Sequence, residues 1–390
     1  MTATIEQRPS RTTLGRSLAA SGALASDWAP TFAAVDRAAF LPSLMWPYDM
    51  DTRTSVPVGK ADDPGRWYAC ADQDIPIVTQ WDDGNHEGRE PGKVSTSSSS
   101  MPSVVYRLLQ DLDIGDGMTV LDVGTGTGET AGALTHRLTD RHTVTIDVDA
   151  AVARSARTAL HHAGFHPTAV AGDGFEGYAP RAPYDRILAT CGLRHIPGAW
   201  IDQTRPGGLI VAPWGTHYSN ADAVARLVVK DGAAEGKFAH PVEFMKLRSQ
   251  RFSFAGHDSY VPRDMSGADT STTDVTEEEF VTGQYTALPF AIGLRVPRCR
   301  HSVADKRDGA RPAWFYELGD TSWACAMFRD GAPAKVWQHG ERRLWDEVEA
   351  AFRWWQKQGR PAHDRFGLTI TPDGHTAWLD EPGNALTATL

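Results

Sequence analysis

The sequence predicts an α/β protein built on a parallel, Rossmann-like sheet, with an N-terminal helical cap and an extra α+β region at the C-terminus. Three observations carry that prediction. Val120-Leu121-Asp122-Val123-Gly124-Thr125-Gly126-Thr127-Gly128-Glu129 reads as a strand, a tight glycine turn and a helix start. A helical pattern with Ala131, Ala133, Leu134 and Leu138 follows. Further strand-like runs then recur: His142–Asp147, Ala169–Gly174, Tyr184–Thr190 and, behind a Pro-Gly-Gly turn, Arg205–Val211.

Val120, Leu121 and Val123 give the apolar run of a buried parallel strand. Gly124, Gly126 and Gly128 let the backbone turn sharply and a ligand approach it. A helix N-terminus behind such a turn makes a nucleotide-binding corner. The spacing is not the dinucleotide G-x-G-x-x-G, and no P-loop lysine is present. Here it is D-x-G-x-G-x-G. Asp122 would repel a pyrophosphate but suits an amino-acid ammonium. A glycine-rich turn without a ligand is the bland alternative. The phrase resembles motif I of class I methyltransferases. That resemblance implies S-adenosylmethionine as cofactor and S-adenosylhomocysteine as product, held by Asp122, Gly124, Thr125, Gly126 and Gly128. Asp147 ends the next strand, roughly twenty residues on, where an acid binds both ribose hydroxyls. Val148 follows it. Gly172, Asp173 and Gly174 occupy the place that, in this fold, meets the adenine amine.

A chain of 390 residues suits two or three domains. The expected division is 1–100 for the cap and substrate loops, 101–250 for the cofactor domain, and 251–390 for an accessory domain that recognises substrate. The formal net charge of -10 argues against nucleic acid, whose phosphates need a basic face. Cys70, Cys191, Cys299 and Cys325 are scattered without a C-x-x-C pair. They read as reduced thiols, with no disulfide frame and no metal site. No apolar run approaches a membrane span, and the N-terminus lacks a signal-peptide core. A cytoplasmic location without membrane contact is expected. No internal repeat is found.

Residues 1–10 are expected to fray. Leu14, Leu18 and Leu24 suggest a helix over 12–24, and Asp27 a cap for a second helix through Val35. Residues 43–100 are poorly periodic and rich in Asp, Gly, Pro and Ser, the composition of a long functional loop. Ile75–Val78 reads as a short edge strand. Asp82 and Asp83 beside Trp81 are solvated turn residues or substrate contacts. Val94-Ser95-Thr96-Ser97-Ser98-Ser99-Ser100-Met101-Pro102 reads as a flexible linker or as a ligand patch before a helix. Pro102 suits that helix's first turn, and Ser100 can cap it. Ala223–Val229 and Val242–Leu247 read as the last two strands of the sheet, and 251–285 as polar loop. Trp345, Val348, Phe352 and Trp355 give a helix over 342–358. Phe366–Ile370 and Thr376–Leu379 flank Pro372-Asp373-Gly374 as a hairpin. Seven of the 13 tryptophans (Trp314, Trp323, Trp337, Trp345, Trp354, Trp355 and Trp378) fall in the last ninety residues. They form a core or an aromatic peptide groove.

Several phrases are more specific than motif I. Arg37-Ala38-Ala39-Phe40-Leu41-Pro42, the serine run before Pro102, Gly172-Asp173-Gly174-Phe175-Glu176-Gly177, Ala182-Pro183-Tyr184-Asp185 and Ala212-Pro213-Trp214-Gly215 resemble the protein L-isoaspartate O-methyltransferases. The resemblance fades after about residue 250. It places Ser100 on the family serine that contacts the substrate carboxylate and Ser98 on the family threonine, while Ser99 replaces an apolar residue. The family loop after the fourth strand is small and apolar. Here Thr190–Pro197 carries Arg194 and His195. One of them could clamp a carboxylate; helix capping or packing fits His195 equally. Ser98, Ser99, Ser100, Arg194 and His195 are the candidate catalytic residues.

The long C-terminal region, with Arg343-Leu344-Trp345-Asp346-Glu347-Val348 and Asp364-Arg365-Phe366-Gly367-Leu368, resembles a subgroup acting on ribosomally made peptides: graspetides, some lanthipeptides and lasso peptides. That implies methylation of an ordinary aspartate in a macrocyclic peptide, the ester then closing to an aspartimide. Isoaspartyl repair and a non-catalytic peptide-binding scaffold are the competing readings.

Overall fold

Residues 8–283 and 285–386 are described in the computed structural model. Part of the expected frayed start, residues 1–7, lies outside them. By compactness the chain falls into two units. The first holds Met1–Cys191, Pro197–Ala212 and Val228–Asp231; the second holds Gly192–Ile196, Pro213–Leu227 and Gly232–Leu390.

The first unit opens with helices α1 (Pro9–Ala20) and α2 (Ala29–Ala34). Trp28, not Asp27, precedes α2, and no side chain caps it. Strand β1 (Leu44–Asp49), helix α3 (Pro64–Ala71) and strands β2 (Ile77–Trp81) and β3 (Ser95–Ser99) follow. The three strands pair antiparallel, with Trp46 opposite Val78 and Val78 opposite Ser98. The expected long loop is therefore a small sheet. Its core is Met45, Val58, Trp67, Ala71 and Ile77, too widely spaced in sequence to give a local period.

Next come α4 (Pro102–Asp111), β4 (Val120–Val123), α5 (Glu129–Leu138), β5 (Thr143–Asp147), α6 (Ala150–His162), β6 (Thr168–Ala171), β7 (Tyr184–Ala189), α7 (Gly198–Asp202) and β8 (Thr204–Trp214). Ser100 does not cap α4: Met101 stands at the cap, and the Ser103 N–H is satisfied by Asp74 at 2.9 Å. The strands run parallel in the order β8, β7, β4, β5, β6. Parallel pairing puts the ends of β4, β5 and β7, at Val123, Asp147 and Ala189, on one carboxyl edge, where such sheets bind ligands.

Strand β9 (Asp222–Lys230) contributes to both units, and β10 (Ala233–Val242) belongs to the second. The last expected strand thus precedes 242–247, because Ala234, Phe238 and Val242 are its buried positions in an otherwise polar run. Five strands form a second sheet: β11 (Asp269–Thr273), β12 (Cys299–Val303), β13 (Ala310–Glu317), β14 (Trp323–Arg329) and β15 (Ala332–His339). Their order is β11, β15, β14, β13, β12, all antiparallel. Helices α8 (Ala287–Arg295) and α9 (Leu344–Lys357) cover one face. On that face Phe315, Phe328 and Val336 meet Ile292, Trp345, Val348 and Phe352. Of the expected polar loop 251–285, residues 269–273 are instead strand β11, and Phe254, Tyr260 and Val261 cover the other face against Tyr316, Trp323 and Cys325. Finally β16 (Phe366–Thr371) and β17 (Gly374–Leu379) form the expected hairpin, and β16 pairs with β10 through Gly236 opposite Leu368.

Candidate active site

The glycine turn leaves β4 with φ of +99° at Gly124, +52° at Gly126 and +93° at Gly128. This left-handed backbone is open to glycine and strained for other residues. At Gly126 a Cβ would also stand 3.4 Å from the Ser98 carbonyl. The turn and the serine strand are thus close neighbours. The Gly126 N–H donates to Asp147 Oδ2 at 2.9 Å, and the Asp149 N–H donates to Asp147 Oδ1 at 3.0 Å. Thr190 Oγ donates to the Gly124 carbonyl at 2.8 Å, joining the end of β7 to the same turn.

Asp122 is fully buried. Its Oδ2 accepts from Thr145 Oγ at 2.8 Å, and Thr145 lies 2.6 Å from Thr125 Oγ. Its Oδ1 has no partner. Burial pushes its pKa up to about 7, against the lowering bond from Thr145. Val148 is exposed beside Asp147. Gly172 donates its N–H to the Asp147 carbonyl at 2.9 Å. Asp173 is exposed and accepts the Phe175 N–H, opening the turn Gly174–Glu176. Gly174 is fixed from its carbonyl by the indole of the buried Trp200 at 2.8 Å.

The serine run is a strand, not a linker. Ser98 and Ser100 are half-buried, and Ser99 is buried. Ser99 Oγ donates to Glu129 Oε2 at 3.0 Å and accepts from Arg37 Nε at 2.8 Å. The Arg37 guanidinium also donates to the carbonyls of Gln73, Ile75, Ser99 and Ser100, each within 3.0 Å. Arg37 is 2% exposed and lies 3.7 Å from Glu129. Burial raises the Glu129 carboxyl and lowers Arg37, while each favours the other's charge. Ser99 is therefore engaged in holding the strand to the first residue of α5.

Arg194 and His195 belong to the second unit. The Arg194 guanidinium donates to the Thr216 carbonyl, and its buried Nε–H is unpartnered. His195 is exposed and stacks on buried His375, with ring centroids 4.1 Å apart. Burial lowers both imidazoles, His375 to about 4. Nearby in that unit, Lys246 pairs with fully buried Asp222, whose pKa burial lifts to about 6. Of the expected residues, Ser98–Ser100, Asp122, the glycines, Asp147 and Asp173 share the first unit.

The family profile described as Protein-L-isoaspartate(D-aspartate) O-methyltransferase matches residues 87–251. The protein-L-isoaspartate O-methyltransferase of Thermococcus onnurineus is 33% identical over 150 residues, covering 38% of this chain and 68% of that one. Protein-L-isoaspartate O-methyltransferase 2 of a Polaromonas species is 33% identical over 153 residues, covering 39% and 72%. The chain belongs to the protein-L-isoaspartate O-methyltransferase family. A solved protein-L-isoaspartate O-methyltransferase shares the fold with a TM-score of 0.52 at 19% identity, covering 95% of this chain and 100% of that one. The matched fold therefore extends past residue 251, where the sequence resemblance fades.

Membership makes the class that of an S-adenosylmethionine-dependent protein carboxyl O-methyltransferase. The residues fit that cofactor. The buried, unpartnered oxygen of Asp122 suits a cationic amino-acid group, the Asp147 carboxylate sits on the glycine turn, and Gly126 leaves the room a side chain would fill. When bound, S-adenosylmethionine supplies an electrophilic methyl group. Among the described residues no cluster suits a metal ion, and no helix is long and apolar enough to cross a membrane. Sequence reasoning missed the Arg37–Ser99–Glu129 network, although Arg37 stands in a family phrase. It also missed Asp222 and Lys246, which no motif marks.

Proposed function

We propose that this family member methylates an aspartate side-chain carboxylate in a ribosomally made, macrocyclised peptide, the ester then closing to an aspartimide. The observation that carries carboxyl transfer is the serine strand lying against the glycine turn, with the Ser98 carbonyl 3.4 Å from where a Gly126 Cβ would stand. An aspartate carboxylate is ionised at neutral pH, its ordinary pKa being about 3.9, so no general base is required. The protein must orient one carboxylate oxygen and exclude water. Hydroxyls at Ser98 and Ser100 orient it without the tight ion pair that would blunt a nucleophile, and Ser99 holds the strand. Arg194 and His195 are assigned to the peptide's other polar groups, and residues 251–390 to its recognition.

After transfer, the backbone nitrogen following the aspartate attacks the ester carbonyl. Methoxide leaves and takes the amide proton as methanol. The peptide gains a methylene's mass and then falls to one water below its starting mass. The reading of a macrocyclic substrate is supported by the resemblance of the C-terminal phrases around Arg343 and Asp364. A rigid ring loses less conformational entropy on binding than a linear chain.

Isoaspartyl repair is the second reading, favoured by a named isoaspartate enzyme matching the fold over 95% of this chain. Mass spectrometry of an isoaspartyl peptide and a macrocyclised aspartyl peptide, each incubated with enzyme and S-adenosylmethionine, separates the two. Methylation followed by loss of methanol on the macrocycle alone is expected. Turnover of the isoaspartyl peptide alone overturns the proposal in favour of repair.

A further inference from the structure

Beyond β7 the chain passes through Gly192–Ile196, a segment without a regular element of its own. Gly192 and Leu193 are secured by backbone alone. The Gly192 N–H donates to the Met245 carbonyl and the Leu247 N–H to the Gly192 carbonyl, both at 2.8 Å. The Leu193 N–H donates to Pro213 at 2.8 Å, and the Gly215 N–H donates to Leu193 at 3.0 Å. These are single parallel bridges, Gly192 with Lys246 and Leu193 with Trp214, and they stop there. The next two residues, Arg194 and His195, have N–H groups that point to no strand. One side chain receives both. Gln250 Oε1 accepts from the Arg194 N–H at 2.7 Å and the His195 N–H at 3.0 Å, while Gln250 Nε2 donates to the His195 carbonyl at 2.7 Å. The amide orientation follows from its neighbours, since its oxygen faces two donors and its nitrogen an acceptor.

We infer that Gln250 is a positioning residue that sets the backbone under Arg194 and His195 for the peptide substrate, extending a strand pairing that the backbone cannot continue. The inference rests on the reading of Arg194 and His195 as substrate-binding residues. Gln250 acts through the backbone of Arg194 and His195. It removes the freedom of the two residues that carry the polar groups, so the ordering cost of binding is met before the peptide arrives. Gln250→Leu keeps the bulk and removes all three bonds.

The test uses the full-length enzyme and whichever peptide, isoaspartyl or macrocyclic, accepts the methyl group. Gln250→Leu is expected to raise the peptide KM about tenfold, the scale of one or two lost hydrogen bonds, with kcat changed much less. Its S-adenosylmethionine affinity by calorimetry should match the parent, which also shows that it has folded. Amide hydrogen exchange at Arg194 and His195 should become faster, a readout independent of activity. In an Arg194→Met background, Gln250→Leu should add little, because the two act as one unit. An unchanged peptide KM in Gln250→Leu, alongside a raised one in Arg194→Met, overturns the role of Gln250. Unchanged KM in both Arg194→Met and His195→Ala overturns the substrate reading on which it rests. Full additivity also overturns it, since Gln250 would then act elsewhere. Should Gln250→Leu fail to fold, Gln250→Asn, one methylene short of the same contacts, is expected to raise KM and exchange in the same direction, and unchanged values there overturn the inference.

Discussion

At Asp122, burial and charge oppose each other, and the consequence is measurable. Its carboxyl is pushed up to about 7, while an unfolded aspartate titrates near 3.9. Between those values the native protein holds a proton that the unfolded chain has lost. Stability from this residue is present at low pH and is lost as pH rises towards 7. Asp122→Asn cannot titrate. The stability of the parent relative to Asp122→Asn, measured without cofactor, should fall between about pH 4 and pH 7; a flat difference contradicts the buried carboxyl. Asp147 is argued differently, since its Oδ2 fixes the glycine turn at Gly126 and its Oδ1 the start of α6 at Asp149. Asp147→Ala should weaken S-adenosylmethionine binding in calorimetry, and equal affinity would count against it. The serines divide by environment. Ser100→Ala should slow methyl transfer and spare cofactor binding. Ser99→Ala strips a partner from both Arg37 and Glu129 and should cost about 1–3 kcal/mol in urea unfolding. A catalytic loss in Ser99→Ala without a stability loss would reverse that division.

Among the elements, α9 is the clearest case of a pattern that names its own face. Leu344, Val348 and Phe352 recur one turn apart, with Trp345 beside them, all buried against the second sheet. Trp345 meets Phe280, Phe315 and Phe328 with ring centroids 5.4, 5.6 and 6.4 Å away. Trp345→Ala opens a large cavity there and should cost about 3–5 kcal/mol in denaturant unfolding. A cost below 1 kcal/mol would mean that the site collapses freely. The serine strand β3 shows the opposite. Ser-Thr-Ser-Ser-Ser has no apolar alternation, and only pairing with β2 and the buried Arg37 make it a strand. The seven C-terminal tryptophans split likewise: Trp323, Trp345 and Trp378 are buried, and the rest are half-exposed.

For the whole molecule, the return of the chain matters most. Strand β16 pairs along β10, so residues 366–371 lie beside 233–242 despite the distance in sequence. A fragment ending at residue 250 would leave β10 with an unpaired edge and take Phe290 away from Phe238, conditions that favour aggregation. That fragment should be less soluble than the full chain or less cooperative in thermal unfolding. A soluble, cofactor-binding 1–250 fragment would show that the C-terminal region is dispensable for folding.

The α/β class and the parallel strands were legible in the sequence because they depend on local rules, and the cofactor and the family because short phrases resemble known motifs. Buried parallel strands are apolar runs, glycine is favoured where φ is positive, and an acid at a strand end keeps its place in the chain. Helix α9 and the final hairpin were legible for the same reason: their periods are short and complete. The sheet formed by β1, β2 and β3, the position of β10 and the covering of the second sheet by 251–268 were decided by tertiary structure, since each buries residues that have no apolar period of their own. The same holds for the buried Arg37 beneath the serine strand and for Gln250 beneath Arg194 and His195. Their partners are distant in sequence, and a hydrogen bond to a remote backbone group leaves no trace in composition or spacing.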